Sequence, residues 1–195
     1  MTKIYFSKTT FHEKDALPGE KKMQSKYCRQ IVLEAACKEL GVKHDEVIFS
    51  TDANSKPYLS NSSSFYFNIS HTNAAVAVAI SSKPVGIDIE LIKNVDENDL
   101  KEFKALKIAK KMFLPHEFEY IIEQPHKTGE RFYEIWTKKE AYAKYIGTGI
   151  FGKENIMRFD VLNRNLDIQI DTLFIERWVM SVCGEAIHNL QFIAL

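Results

Sequence analysis

The run Val85-Gly86-Ile87-Asp88-Ile89-Glu90 alternates β-branched residues with a glycine and two acids, and a period of two is the signature of a strand. That period sends Val85, Ile87 and Ile89 to one face and Gly86, Asp88 and Glu90 to the other. The chain also changes character here. Upstream, residues 3–6 read as a short strand and residues 23–40 as a helix stopping at Gly41. Residues 47–50, 65–70, 74–81 and 85–90 then read as successive strands of one largely antiparallel sheet. Downstream, residues 96–112 are charged and helical in period, Pro115 opens a shorter helix to residue 122, and a third helix covers 128–145 before Gly147. Strands are expected again at 157–162, 172–176, 178–183 and 190–194. Helix followed by strands, twice over, predicts an α+β protein of two tightly packed lobes, residues 1–92 and 93–195, joined through the polar loop 91–98.

Composition narrows the function classes. Of 195 residues, 45% are hydrophobic, enough to bury a sizeable core. Lysine plus arginine and aspartate plus glutamate number 26 each, so no overall basic field draws the chain to nucleic acid, and any anion site must be local. Cys28, Cys37 and Cys183 are scattered, without the spacing of a disulfide framework or a zinc site. The N-terminus does not read as a secretory signal, and no run of about 18 apolar residues offers a membrane span. The expectation is a cytoplasmic protein.

Two neighbouring carboxylates on one strand face repel, and each raises the other's pKa unless a cation neutralises them. Mg2+ suits such a site, because it takes a few hard oxygen ligands and keeps positions open for water and phosphate. Gly86, on the same face, would let a ligand approach the backbone. Taken alone, D-x-E is also ordinary edge-strand surface. In the third helix Phe132, Trp136, Glu140 and Lys144 follow at intervals of four and share a face; Glu140 and Lys144 read either as an exposed i,i+4 pair or, beside the flanking aromatics, as groups desolvated on a packed helix. Between these features lies Phe67-Asn68-Ile69-Ser70-His71, a strand ending in polar residues, with the turn Lys56-Pro57 before it. His71 could bond a phosphate, act as a base or be structural.

In this order and spacing, Lys56-Pro57, F-N-I-S-H at 67–71, G-I-D-I-E at 86–90 and W-T-K-K-E-A-Y-A-K at 136–144, with Gly147 and Gly149 beyond, resemble the 4′-phosphopantetheinyl transferase superfamily. The chain is similar to the single-chain type that activates peptide synthetases. The resemblance covers about residues 20 to 160. It implies two pseudo-twofold lobes and transfer of the 4′-phosphopantetheine arm of coenzyme A to a serine of an apo acyl or peptidyl carrier protein. By the same resemblance adenosine 3′,5′-bisphosphate would be released. It further implies that Asp88, Glu90 and Glu140 bind Mg2+, or Mn2+ in its place, beside the pyrophosphate. Glu140 is the candidate base and Lys144 the cation that stabilises developing charge. Ser70 and His71 match residues that contact the coenzyme, Lys56 would sit near its nucleotide end, and Lys139 would help hold the phosphates. For the 3′-phosphate Lys14, Lys21, Lys22, Lys26 and Arg29 compete, and Lys26 is the choice. Carrier docking would use about residues 94–122, with Met112, Phe113 and Leu114 as apolar contacts or as core. A monomer is expected.

Two rival functions use the same residues. A module that only binds coenzyme A or a carrier has no need of clustered acids, whereas a Mg2+-dependent pyrophosphate hydrolase explains Asp88 and Glu90 without the wider match.

Overall fold

The structure is a computed structural model that describes residues 1–8, 18–72, 75–92, 104–148 and 158–193, with the side chains of α1 described from Gln24 onward. Four layers stack in the order helix, sheet, sheet, helix. The first sheet takes β4 (Tyr66–Thr72), β5 (Ala75–Ser81), β1 (Thr2–Lys8) and β9 (Ile187–Phe192) in that spatial order. Its pairs are antiparallel except β1 with β9. The second sheet is β6 (Gly86–Leu91), β8 (Trp178–Gly184) and β7 (Gln169–Ile175), all antiparallel. A separate ribbon pairs β2 (Phe49–Thr51) with β3 (Pro57–Leu59).

Alternation along the strands creates three cores. Ile4, Phe6, Ala75, Ala77 and Ala79 of the first sheet face Ile87, Ile89, Met180 and Val182 of the second, so the two sheets bury one face each against the other. The outer face of the first sheet, Val76, Val78 and Ile80, is covered by α1 (Pro18–Leu40) through Cys28, Val32 and Ala36. The outer face of the second sheet is covered by α4 (Thr128–Ile146), which packs on β6 and β8. Behind it, α2 (Lys104–Met112) and α3 (Pro115–Ile122) close a third core, in which Phe113 and Trp136 both stack on Phe132.

The α+β class, with antiparallel sheets and helices, matches the sequence expectation. Pro115 opens α3, and Gly147, at φ 75°, ends α4 in the left-handed conformation that terminates helices. The single first sheet does not. β6 leaves its sequence neighbour β5 and pairs with β8, while β9 from the far end of the chain lies beside β1. Sheet membership therefore crosses residue 92. The strand expected at 157–162 is also corrected: residues 158–162 run as turns and irregular chain, with Glu117 Oε1 accepting from the Val161 amide instead of a strand neighbour. Residue 157, residues 96–103 of the helix expected before Met112, and most of the polar loop 91–98 lie outside the described residues.

Candidate active site

β6 is an edge strand, and an edge leaves backbone groups without partners. Here polar side chains take the place of a neighbouring strand. Asn68 Oδ1 accepts from the Ile87 amide at 3.0 Å, and Ser70 Oγ accepts from the Ile89 amide at 3.3 Å. Lys144 Nζ donates to the Ile87 carbonyl at 3.0 Å. The same groups converge on Asp88, whose Oδ1 accepts from Lys144 at 2.7 Å and from Ser70 at 2.9 Å. Lys144 also donates to Ser70 Oγ at 3.0 Å. All three ammonium protons of Lys144 therefore have acceptors within the protein.

Asp88 is 5% exposed, and its second oxygen, Oδ2, is buried without any hydrogen-bond partner. A buried carboxylate oxygen left unpaired costs about 1–3 kcal/mol or more. Such a group in a native fold points to an unmet cation or donor.

Gly86 acts differently from the sequence expectation. A Cβ there would fall 2.0 Å from the Ala141 carbonyl oxygen and 2.4 Å from the Tyr145 amide nitrogen. The glycine admits the backbone of α4 rather than a phosphate. That close approach brings Glu140 and Lys144 to the face that carries Asp88 and Glu90. Burial, reinforced by the neighbouring charge of Asp88 and opposed by Lys144, raises the Glu140 carboxyl to about 7. Burial first, then the charge of Glu90, pushes the Tyr133 phenol up to about 12, which places Glu90 near the preceding turns of α4.

The raised Glu140 has a consequence for stability in the absence of cations. Between pH 4.5 and about 7 the folded chain keeps a proton that the unfolded chain has released, so stability falls as pH rises through this window. Glu140→Gln removes that cost. In EDTA at pH 8 the variant is expected to be more stable than the parent by roughly 1–2 kcal/mol, a value discounted for partial exposure. Thermal melts from pH 4 to 8 should show the gap closing below pH 5.

The donor set fits a hard divalent cation in kind. Asp88 Oδ2 is buried and unpaired, and Glu140 and Glu90 belong to facing elements. The three acids do not, however, form a finished chelate: among the described residues no group of three or more His, Cys, Asp and Glu side chains is arranged to hold a metal ion. The cation now at Asp88 is the Lys144 ammonium.

The other expected residues separate. Phe67 and Ile69 turn toward α1 and line a groove of about 740 Å³ with Lys26 and Arg29 from α1 and Ser50 from β2. His71 shares that face by the strand period, whereas Ser70 lies on the opposite one with Asp88. Arg29 stacks over Phe49, 4.2 Å from the ring centre. Lys14 and the side chains of Lys21 and Lys22 lie outside what the structure describes. Lys56 donates to the carbonyls of Lys144 at 2.5 Å and Tyr145 at 3.3 Å, and lies 3.5 Å from that of Val85. It caps the negative end of α4, and burial lowers its pKa.

Lys139 points away from the site. Fully buried, it pairs with Glu117 at 2.8 Å and donates to the Phe159 carbonyl at 2.7 Å. A phosphate would have to displace Glu117, so the sequence-based role for Lys139 gives way to a structural one. Removing one partner strands a buried charge. Lys139→Met is expected to cost about 3 kcal/mol, and Lys139→Met with Glu117→Leu to restore most of it; urea unfolding measures both. Phe113 is core, Met112 and Leu114 are half-buried, and α2 instead exposes Lys104, Lys107, Ile108, Lys110 and Lys111.

Sequence reasoning missed Asn68, Thr137 and Ser181. The alternation that exposes Ser70 to β6 puts Asn68 on the same face, which was the available signal. Thr137 Oγ1 and Thr172 Oγ1 lie 2.8 and 2.9 Å from Ser181 Oγ, and nothing local announces a contact between elements so far apart in the chain.

Residues 84–182 match the 4′-phosphopantetheinyl transferase superfamily. The chain is similar to the 4′-phosphopantetheinyl transferase psf-1 of Bacillus pumilus, 38% identical over 107 residues, which are 54% of this chain and 42% of the relative. It is 37% identical over 115 residues to the transferase gsp of Aneurinibacillus migulanus, covering 57% and 43%. Against Sfp of Bacillus subtilis strain 168 it is 30% identical over 144 residues, covering 72% and 56%. These matches span about half the length of those relatives.

Proposed function

Because the chain belongs to the 4′-phosphopantetheinyl transferase superfamily, we propose that it transfers the 4′-phosphopantetheine arm of coenzyme A to a serine of an apo acyl or peptidyl carrier protein. The observation that carries this reading is Asp88, buried with one oxygen bridged to Lys144 and Ser70 and the other unpaired. Mg2+, or Mn2+, would be held by Asp88 through Oδ2 with Glu90 and Glu140. Its chemistry there is to neutralise the pyrophosphate charge.

The protein's own groups divide the remaining work. The carrier serine oxygen forms a bond to the phosphorus that bears the pantetheine arm, and the bond from that phosphorus to the adenosine 3′,5′-bisphosphate oxygen breaks. Glu140 accepts the serine proton, directly or through a bound water. Lys144 supplies fixed positive charge beside the reacting phosphate by exchanging one internal acceptor for a phosphate oxygen. Lys26, Arg29 and His71 serve the nucleotide end in the groove beside α1, where Lys26 takes the 3′-phosphate. We read the two helix-backed sheets as the family's pseudo-twofold halves, residues 1–92 and 93–195, each lending one strand to the other's sheet. The balanced charge weighs against nucleic acid as a partner, and we take the protein to be a cytoplasmic monomer that engages coenzyme A and a carrier. Among the described residues no helix is long and apolar enough to cross a membrane.

The test mixes the protein with coenzyme A, Mg2+ and apo carrier proteins and follows carrier mass. A gain equal to one phosphopantetheine, with one equivalent of adenosine 3′,5′-bisphosphate, is expected. Adenosine bisphosphate without carrier would indicate a hydrolase, and coenzyme binding with no mass gain on any carrier would indicate a binding module.

A further inference from the structure

Ser181 stands directly opposite Asp88 in the β6–β8 register. Antiparallel partners share a face with Cβ atoms about 5 Å apart, so the Ser181 hydroxyl is the natural donor for the unpaired Asp88 Oδ2. It does not make that bond. Ser181, fully buried, instead lies between Thr137 on α4 at 2.8 Å and Thr172 on β7 at 2.9 Å.

One direction of this hydroxyl row follows from its far end. Thr137 Oγ1 donates to the Glu134 carbonyl at 3.2 Å, and a carbonyl only accepts. A hydroxyl has one proton; either oxygen of each pair can donate, and the arrangement in which Thr137 donates to Glu134 has Ser181 donating to Thr137 and Thr172 to Ser181. In either direction Ser181 is bonded to Thr137 and Thr172, and Asp88 Oδ2 has no partner.

We propose that Thr137 acts as a positioning residue that holds the Ser181 hydroxyl away from Asp88 Oδ2, preserving that oxygen as the acceptor for a divalent cation. This rests on the cation reading of Asp88 given above. Were Ser181 released from Thr137, its hydroxyl would be held by Thr172 alone and free to turn its proton to the buried, unpaired Asp88 Oδ2, which a cation would then have to displace. The row also ties α4, bearing Glu140 and Lys144, to β8. Its two effects are separable, because deleting Ser181 removes the competing donor altogether.

Calorimetric titration of the full chain with Mn2+, alongside thermal melts, tests the proposal without any turnover. Thr137→Val is expected to weaken Mn2+ binding about tenfold, in the range of outer contacts to metal ligands. Thr137→Ser should keep the parental affinity. Thr137→Val combined with Ser181→Ala should regain it to within about twofold, a rescue that a purely structural role for the row does not produce. If Thr137→Val does not fold, Thr137→Ala takes its place: an approximately tenfold loss restored by Ser181→Ala supports the proposal, and parental affinity or no restoration overturns it. Parental Mn2+ binding with an unaltered Thr137→Val, or a double variant no better than the single one, also overturns it. A parent that binds no Mn2+ removes the cation reading itself, and this inference with it.

Discussion

Asp88→Asn is expected to lower the rate of carrier modification by about a thousandfold, roughly 4 kcal/mol of transition-state stabilisation, with little change in melting temperature. Asparagine has nearly the shape of aspartate and keeps an oxygen for the Ser70 and Lys144 bonds, so the packing of β6 against β4 and α4 survives. What disappears is the negative charge that holds the Lys144 ammonium at 2.7 Å and the free acceptor at Oδ2. A neutral amide neither recruits a divalent cation nor balances the Lys144 charge. Lys138→Ala is the control: Lys138 pairs with Glu134 one turn away on the same helix, an interaction worth a few tenths of a kcal/mol, and its loss should leave transfer within about twofold of the parent. Steady-state rates at saturating coenzyme A and carrier distinguish the two. Parental rates in Asp88→Asn would exclude Asp88 from the chemistry.

Gly86→Ala is the second large effect, and it acts on the fold. The added methyl meets only backbone: the Ala141 oxygen at 2.0 Å, the Tyr145 nitrogen at 2.4 Å and the Tyr145 Cα at 3.0 Å. Backbone atoms inside a capped helix cannot rotate aside, so α4 must shift outward from β6, disturbing the Thr137 to Ser181 contact and the Lys144 to Asp88 pair together. The expected cost is about 4 kcal/mol, at the upper end for overpacking. For a chain of this length that lowers the melting temperature by roughly 8–16 °C. A melting temperature within a degree of the parent would show that α4 does not lie against β6 as described.

Helix limits were legible wherever a residue type dictates them, as at Pro115, Thr128 and Gly147. The G-I-D-I-E face was legible too, because the strand period is local. The partner of that strand was not. Pairing of β6 with β8 rather than β5 is decided by burial of Ile87 and Ile89 against the first sheet, a non-local balance that no window of sequence reports. The same limit explains Gly86, whose neighbour is a helix some fifty residues onward instead of a ligand. Within the W-T-K-K-E run, Lys139 and Glu140 are adjacent in sequence yet about 100° apart around the helix. One enters the third core and the other faces β6, so a motif read as a unit serves two sites. Asn68 and Ser70 were visible as polar residues, but their use as a substitute strand edge appears only once β6 is placed.

The central claim, that Asp88 Oδ2 is the seat of a divalent cation completed by Glu90 and Glu140, is tested most directly by the anomalous scattering of crystals grown with Mn2+ and coenzyme A. The account predicts one strong peak about 2.1 Å from Asp88 Oδ2, with a carboxylate oxygen of Glu140 or Glu90 in its coordination shell and the coenzyme pyrophosphate beside it. A fully occupied coenzyme whose manganese lies away from Asp88, or which binds with no manganese at all, would contradict it.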